Sequence, residues 1–140
     1  MTRLVVLVVL AAVAVAIALF LQRRRPDPPS APSYRAPAQL DRDDFSGGDH
    51  PVLAVVFAST TCQTCPEVWA MIEPLASDLL AVERVDVQDR GDLHQRYRID
   101  GVPTTLLVDP DGVVTKAYFG PMSQEELDDG LAANGLRRPT

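Results

Sequence analysis

The chain has two cysteines in 140 residues, and they lie together as Cys62-Gln63-Thr64-Cys65. That spacing lets the second sulfur reach a disulfide formed by the first. The chemistry it allows is exchange: a thiolate attacks a disulfide, a mixed disulfide forms, and the neighbouring thiol displaces the bound partner. The pair falls where an apolar run, 52–58, gives way to a helical pattern starting near Glu67. A thiolate at a helix N-terminus faces backbone N–H groups and the positive end of the macrodipole, and both favour the anion. Cys62 is therefore read as the attacking, more exposed thiol and Cys65 as the buried resolving one. Three other readings use the same residues: half of a zinc site, two unrelated buried cysteines, and a static disulfide. Structural zinc needs four ligands, and only His50 and His94 remain to complete a set. The strand–turn–helix context favours the redox pair.

The elements that must position this pair follow from hydrophobic spacing. Residues 52–58 form a continuous apolar run, which suits a strand buried on both faces. Residues 67–80 carry Val68, Met71, Ile72, Leu75, Leu79 and Leu80 at helical spacing, with Pro74 expected to kink the helix. Trp69 is expected to pack in the core. A second strand is expected at 82–87, a short helix at 92–97 and a third strand at 104–108. Asp109-Pro110-Asp111-Gly112 is a turn signal, so 113–119 should return as a hairpin. Ser123-Gln124-Glu125-Glu126 is a capping box, and its helix should end near Asn134-Gly135. Strands alternating with helices, then a hairpin and a closing helix, mean an α/β domain with a mixed sheet covered on both faces. His94 is expected to be exposed and solvated.

A second motif, Gly101-Val102-Pro103-Thr104, enters the third strand. With it, residues 40–133 resemble the thioredoxin family. The carrying residues come in the family's order: the apolar strand, Cys62-x-x-Cys65, Arg84-Val85-Asp86-Val87, then Tyr97 to Thr104, Leu106-Leu107-Val108, Asp111-Gly112 and Gly120. The resemblance implies a central mixed β-sheet flanked by helices and a redox-active Cys62–Cys65 disulfide. It implies that Pro103 is cis and packs against the pair, and that the backbone of Val102 pairs with an extended substrate segment. The resemblance also implies that Gln63 and Thr64 join Val102 and Pro103 in the substrate groove. A proline at 103 also leaves no ligand near the sulfurs, which discourages metal capture. The expected partners are protein thiol and disulfide substrates and a thiol-protein electron donor. No dissociable cofactor and no metal are expected.

Several residues depart from the family pattern. Gln63-Thr64 stands where ordinary thioredoxins have Gly-Pro, and Thr61 where they have tryptophan. Val56 occupies the place of a buried aspartate that helps deprotonate the resolving cysteine, with Asp86 or a water as a substitute. Turnover slower than that of an ordinary thioredoxin is therefore expected. Pro66 should delay or distort the helix start. A redox-inactive binding module of the same fold is the alternative function. The copper chaperones and peroxiredoxins of the superfamily are further alternatives, but the former space their cysteines by three residues and the latter need a Pro/Thr pattern absent here.

Charge and hydropathy divide the chain. Residues 1–45 hold six arginines against four acidic residues, whereas 46–140 hold seven basic against fifteen acidic. The acidic part argues against nucleic-acid binding. Residues 4–21 carry no charge, Gly or Pro, and as a helix they would span about 27 Å, close to a bilayer's hydrocarbon core of about 30 Å. Small-residue cleavage patterns of a signal peptide lie inside the run rather than after it. The expectation is a single-pass transmembrane anchor over 1–25, a Pro-rich spacer over 26–39 and a thioredoxin-like domain over 40–140. Arg23, Arg24 and Arg25 after the span, against Arg3 before it, lean toward a cytoplasmic C-terminal domain in the cell membrane.

Overall fold

Strand β1, Val52–Ala58, is buried at every position, because it runs through the middle of the sheet with helices over both faces. The computed structural model describes residues 34–137, together with Met1, Val13 and Val15. The chain divides into two compact units, Met1–Ser33 and Tyr34–Thr140, and every element named belongs to the second. The expected anchor over 4–21 lies outside the described residues. Among the described residues no helix is long and apolar enough to cross a membrane.

After β1 come α1 (Cys65–Ile72), β2 (Leu80–Asp86), α2 (Gly91–Arg96), β3 (Thr104–Val108), β4 (Val114–Phe119) and α3 (Gln124–Ala133). The sheet order is β2-β1-β3-β4. β1 runs parallel to β2 and antiparallel to β3, and β3 pairs antiparallel with β4. The sheet is therefore mixed, with α1 as the crossover between its two parallel strands.

Alternation along β1 splits the core. Leu53, Val55 and Phe57 point to one face with Leu106 and Val108, under Leu93 and Tyr97 of the α2 region. Val52, Ala54 and Val56 point to the other with Leu107 and Tyr118, under Val68 and Ile72 of α1 and Leu127 and Leu131 of α3. The capping box of α3 forms as expected, with the Ser123 side chain accepting from Glu126 N–H and the Glu126 side chain accepting from Ser123 N–H.

Three expectations need correction. The helix expected over 67–80 runs over Cys65–Ile72 and tightens into a 3-10 turn at Glu73–Leu75. Pro74 ends the helix rather than kinking it, since it offers no N–H to continue the ladder. Leu79 is consequently exposed, and Leu80 pairs with Val52 as the start of β2, which ends at Asp86 rather than at 87. Pro66 does not delay the helix: it sits in the first turn of α1, where a backbone N–H has no intrahelical partner. His94 is buried rather than solvated. Its Nε2 lies 2.9 Å from the Val85 carbonyl, and its ring meets the edge of Phe57 at 5.1 Å.

Two residues carry stability predictions. Thr105 pairs across from Val56, and its hydroxyl is buried without a hydrogen-bond partner among the described residues. An unpaired buried hydroxyl costs about 1–3 kcal/mol. Thr105→Val should therefore raise the urea midpoint by about 1 kcal/mol in stability with an unchanged slope; a lowered midpoint would refute this.

Tyr97 donates its hydroxyl to the Asp44 carboxylate and accepts from Asp41 N–H at 3.0 Å. Burial, then the Asp44 bond, push its pKa up to about 12. A raised tyrosine pKa lends stability that is complete below the unfolded value of 10.0 and lost as pH rises through about 12. The unfolding free energy should fall across that window, and Tyr97→Phe should flatten the fall. Tyr118, raised chiefly by burial, acts in the same direction. An unchanged alkaline slope in Tyr97→Phe would count against this assignment.

Candidate active site

β1 delivers the chain into Ser59-Thr60-Thr61, and this loop is braced from the side. Gln88, just after β2, donates from Nε2 to Ser59 Oγ at 2.9 Å and accepts Thr60 N–H at 3.1 Å. Ser59 Oγ also lies 3.0 Å from Thr61 Oγ1, and Cys62 N–H donates to the Ser59 carbonyl at 3.2 Å. No sequence pattern marked Gln88, because its partners lie 28 and 29 residues away.

Cys62 and Cys65 are joined as a disulfide, with sulfurs 2.11 Å and Cα atoms 5.5 Å apart. Cys62 is half-buried and Cys65 fully buried. Thr64, the residue before α1, makes no side-chain cap. The Cys65 N–H is left to the sulfur, and it donates to Cys62 Sγ at 3.2 Å. The Thr64 hydroxyl stands 3.8 Å from the same sulfur. Gln63 between them is exposed.

On reduction, these two donors and the α1 N-terminus favour a thiolate on Cys62. Thr64→Val should slow attack by Cys62 at neutral pH about three- to tenfold, in line with about 0.5–1.5 kcal/mol for one hydrogen bond. The rate–pH profile should move to higher pH. An unmoved profile would remove Thr64 from this role.

Val102–Pro103 is a cis peptide bond leading into β3. Thr104 pairs with Phe57 of β1, so Val102 and Pro103 sit at the end of the sheet where the cysteine loop departs. Gly120, at φ 84°, leaves β4 at the same end and donates its N–H to the Pro103 carbonyl at 2.8 Å. Among the described residues the N–H and C=O of Val102 have no backbone partner.

Val56 is fully buried. Asp86, the expected acidic substitute, has both carboxylate oxygens engaged by Arg84, at 2.9 and 3.0 Å. Trp69 is partly buried against the α1 side of the core. Among the described residues no three His, Cys, Asp or Glu side chains come together as a metal-holding group.

Comparisons with known proteins agree with this geometry. The thioredoxin family model matches residues 43–133. Protein disulfide isomerase-like 1-3 of Arabidopsis thaliana is 34% identical over 100 residues, covering 67% of this chain; the chain spans 16% of that relative's length. Among solved structures, a mutant thioredoxin from Halobacterium salinarum superposes with a TM-score of 0.58 at 25% identity, covering 75% of this chain and 98% of its own. A malarial protein superposes at 0.56 with 16% identity, covering 62% of this chain and all of its own, which speaks to the fold alone. Since the family match runs from the approach to β1 through the last residue of α3, the chain belongs to the thioredoxin family.

Proposed function

We propose that the chain exchanges dithiol and disulfide with protein substrates through Cys62 and Cys65. The observation that carries the reading is the bonded pair at the start of α1, with the sulfur of the half-buried Cys62 held by the Cys65 N–H.

In the oxidising direction a substrate thiolate attacks Cys62 Sγ. The Cys62–Cys65 bond breaks, and Cys65 leaves as a thiolate that takes up a proton. A second substrate thiolate then attacks the substrate sulfur of the mixed disulfide and releases Cys62. Two electrons and two protons pass to the pair. The reducing direction is the reverse: Cys62 attacks a substrate disulfide and Cys65 resolves the intermediate. Electrons come from a thiol protein, and no dissociable cofactor takes part. In this reading the peptide groups of Val102, which have no backbone partner among the described residues, receive an extended substrate backbone. The disulfide isomerase-like name of the Arabidopsis relative fits this chemistry.

A redox titration of the full chain in glutathione buffers separates this from a static disulfide. Structural disulfides in secreted proteins lie below about −300 mV. The pair should titrate reversibly above that value; a pair that stays oxidised in the most reducing buffer would overturn the reading.

Residues 4–21 serve as a membrane anchor in this proposal, with the domain on the cytoplasmic side. Support comes from the uncharged length and the arginines that follow. Alkaline extraction of membranes should leave the chain in the pellet, and protease added outside intact cells should spare the domain. Release by alkali, or digestion from outside, would overturn the corresponding part.

A further inference from the structure

Gly101, Val102, Pro103 and Thr104 at the entry to β3, Phe119 and Gly120 at the exit of β4, and Tyr34 line a groove of about 180 Å3. Tyr34 lies outside the stretch matched by the family model, yet it builds one wall. Its ring stacks on Phe119 with centroids 5.7 Å apart and planes at 28°. It also lies against Gly101, where a Cβ would come within 2.5 Å of a Tyr34 ring carbon. Only glycine at 101 admits the ring in this position. Both rings remain open to solvent, Tyr34 at 47% and Phe119 at 42% exposure. We propose that the Tyr34–Phe119 pair is a specificity wall that takes one apolar side chain of the substrate polypeptide, beside the cysteine under attack.

The size and chemistry of the groove select this occupant. Sites for drug-sized ligands and cofactors run to roughly 300–1,000 Å3, so 180 Å3 suits a single side chain. Among the described residues no charged one lines the groove, so a charged side chain would be desolvated there without a partner among them. The unpartnered N–H and C=O of Val102 stand on the groove's own lining, where they can hold the substrate backbone while the aromatic pair takes its side chain. The occupant is therefore an extended segment with leucine, isoleucine or phenylalanine next to its cysteine. This rests on the exchange reading and deepens it.

The test uses the full chain carrying Cys65→Ser, which stops the reaction at the mixed disulfide. Two symmetrical peptide disulfides compete, one with leucine flanking the cysteine and one with serine. Cys62 displaces one peptide thiol from either, and mass spectrometry reads the ratio of the two adducts. The leucine adduct should dominate about fivefold, as expected of an apolar side chain that is only partly buried in an open groove. Adding Tyr34→Ala should bring the ratio near one, whereas Tyr34→Phe should keep it. Only chains that have reacted are counted, so a misfolded fraction does not mimic the result. A ratio near one in the parent, or a ratio untouched by Tyr34→Ala, overturns the specificity wall. Failure to bond either peptide overturns the exchange reading itself, and the wall with it.

Discussion

Cys62→Ser is expected to abolish disulfide exchange, lowering the rate at which the reduced chain cleaves a peptide disulfide by at least about a thousandfold. Serine keeps the size and the local hydrogen bonds but cannot attack a sulfur. The geometry makes this the larger of the two cysteine effects. Cys62 is the half-buried member, whereas Cys65 is fully covered beneath the start of α1. Cys65→Ser should accordingly preserve the first step and accumulate the mixed disulfide, because the resolving thiol is gone. Stopped-flow release of peptide thiol separates the two variants. Substantial residual rate in Cys62→Ser, or equal first-step losses in both, would contradict the assigned order of attack.

Phe57→Ala should cost about 3–5 kcal/mol, the range for truncating a buried aromatic. Phe57 is the largest fully buried side chain among the described residues and stands one residue from the end of β1. It pairs with Thr104, which in turn pairs with Phe119, so three strands meet in one row at the active-site end of the sheet. His94 and Tyr97 close over it, with ring centroids 5.1 and 6.3 Å away. A domain of this size loses roughly 4–8 °C per kcal/mol, so the melting temperature should fall by at least about 12 °C. A fall of only a few degrees would mean that the row does not bear on the stability of this end of the sheet.

The parts of this arrangement legible in the sequence were those set by short spacing. Cys62-x-x-Cys65, the apolar run of β1, the Asp109–Gly112 turn and the capping box of α3 each act within a few residues, and their chemistry determines local geometry. Residues whose environment comes from distant partners are not legible in this way. Leu79 and Leu80 continue the helical spacing of α1, yet Leu80 belongs to β2 because it pairs with Val52. His94 reads as solvated from its own helix alone. The Val85 carbonyl and the Phe57 ring bury it, and neither is near in sequence. The brace from Gln88 and the stacking of Tyr34 on Phe119 are likewise long-range, and no periodicity signals them. Pro66 departs from the sequence expectation for a different reason: the penalty on the residue before proline competes with proline's fitness for the first helical turn, and here the second prevails.

Reduction of insulin by the full chain, with dithiothreitol as electron donor, tests the central claim most directly. The reaction reads protein-disulfide exchange itself rather than a property of the pair alone. Catalysed reduction well above that of the Cys62→Ser variant, with each chain turning over many times, is the predicted result. Equal rates for the two would contradict it and leave the Cys62–Cys65 bond as a structural feature of a binding module.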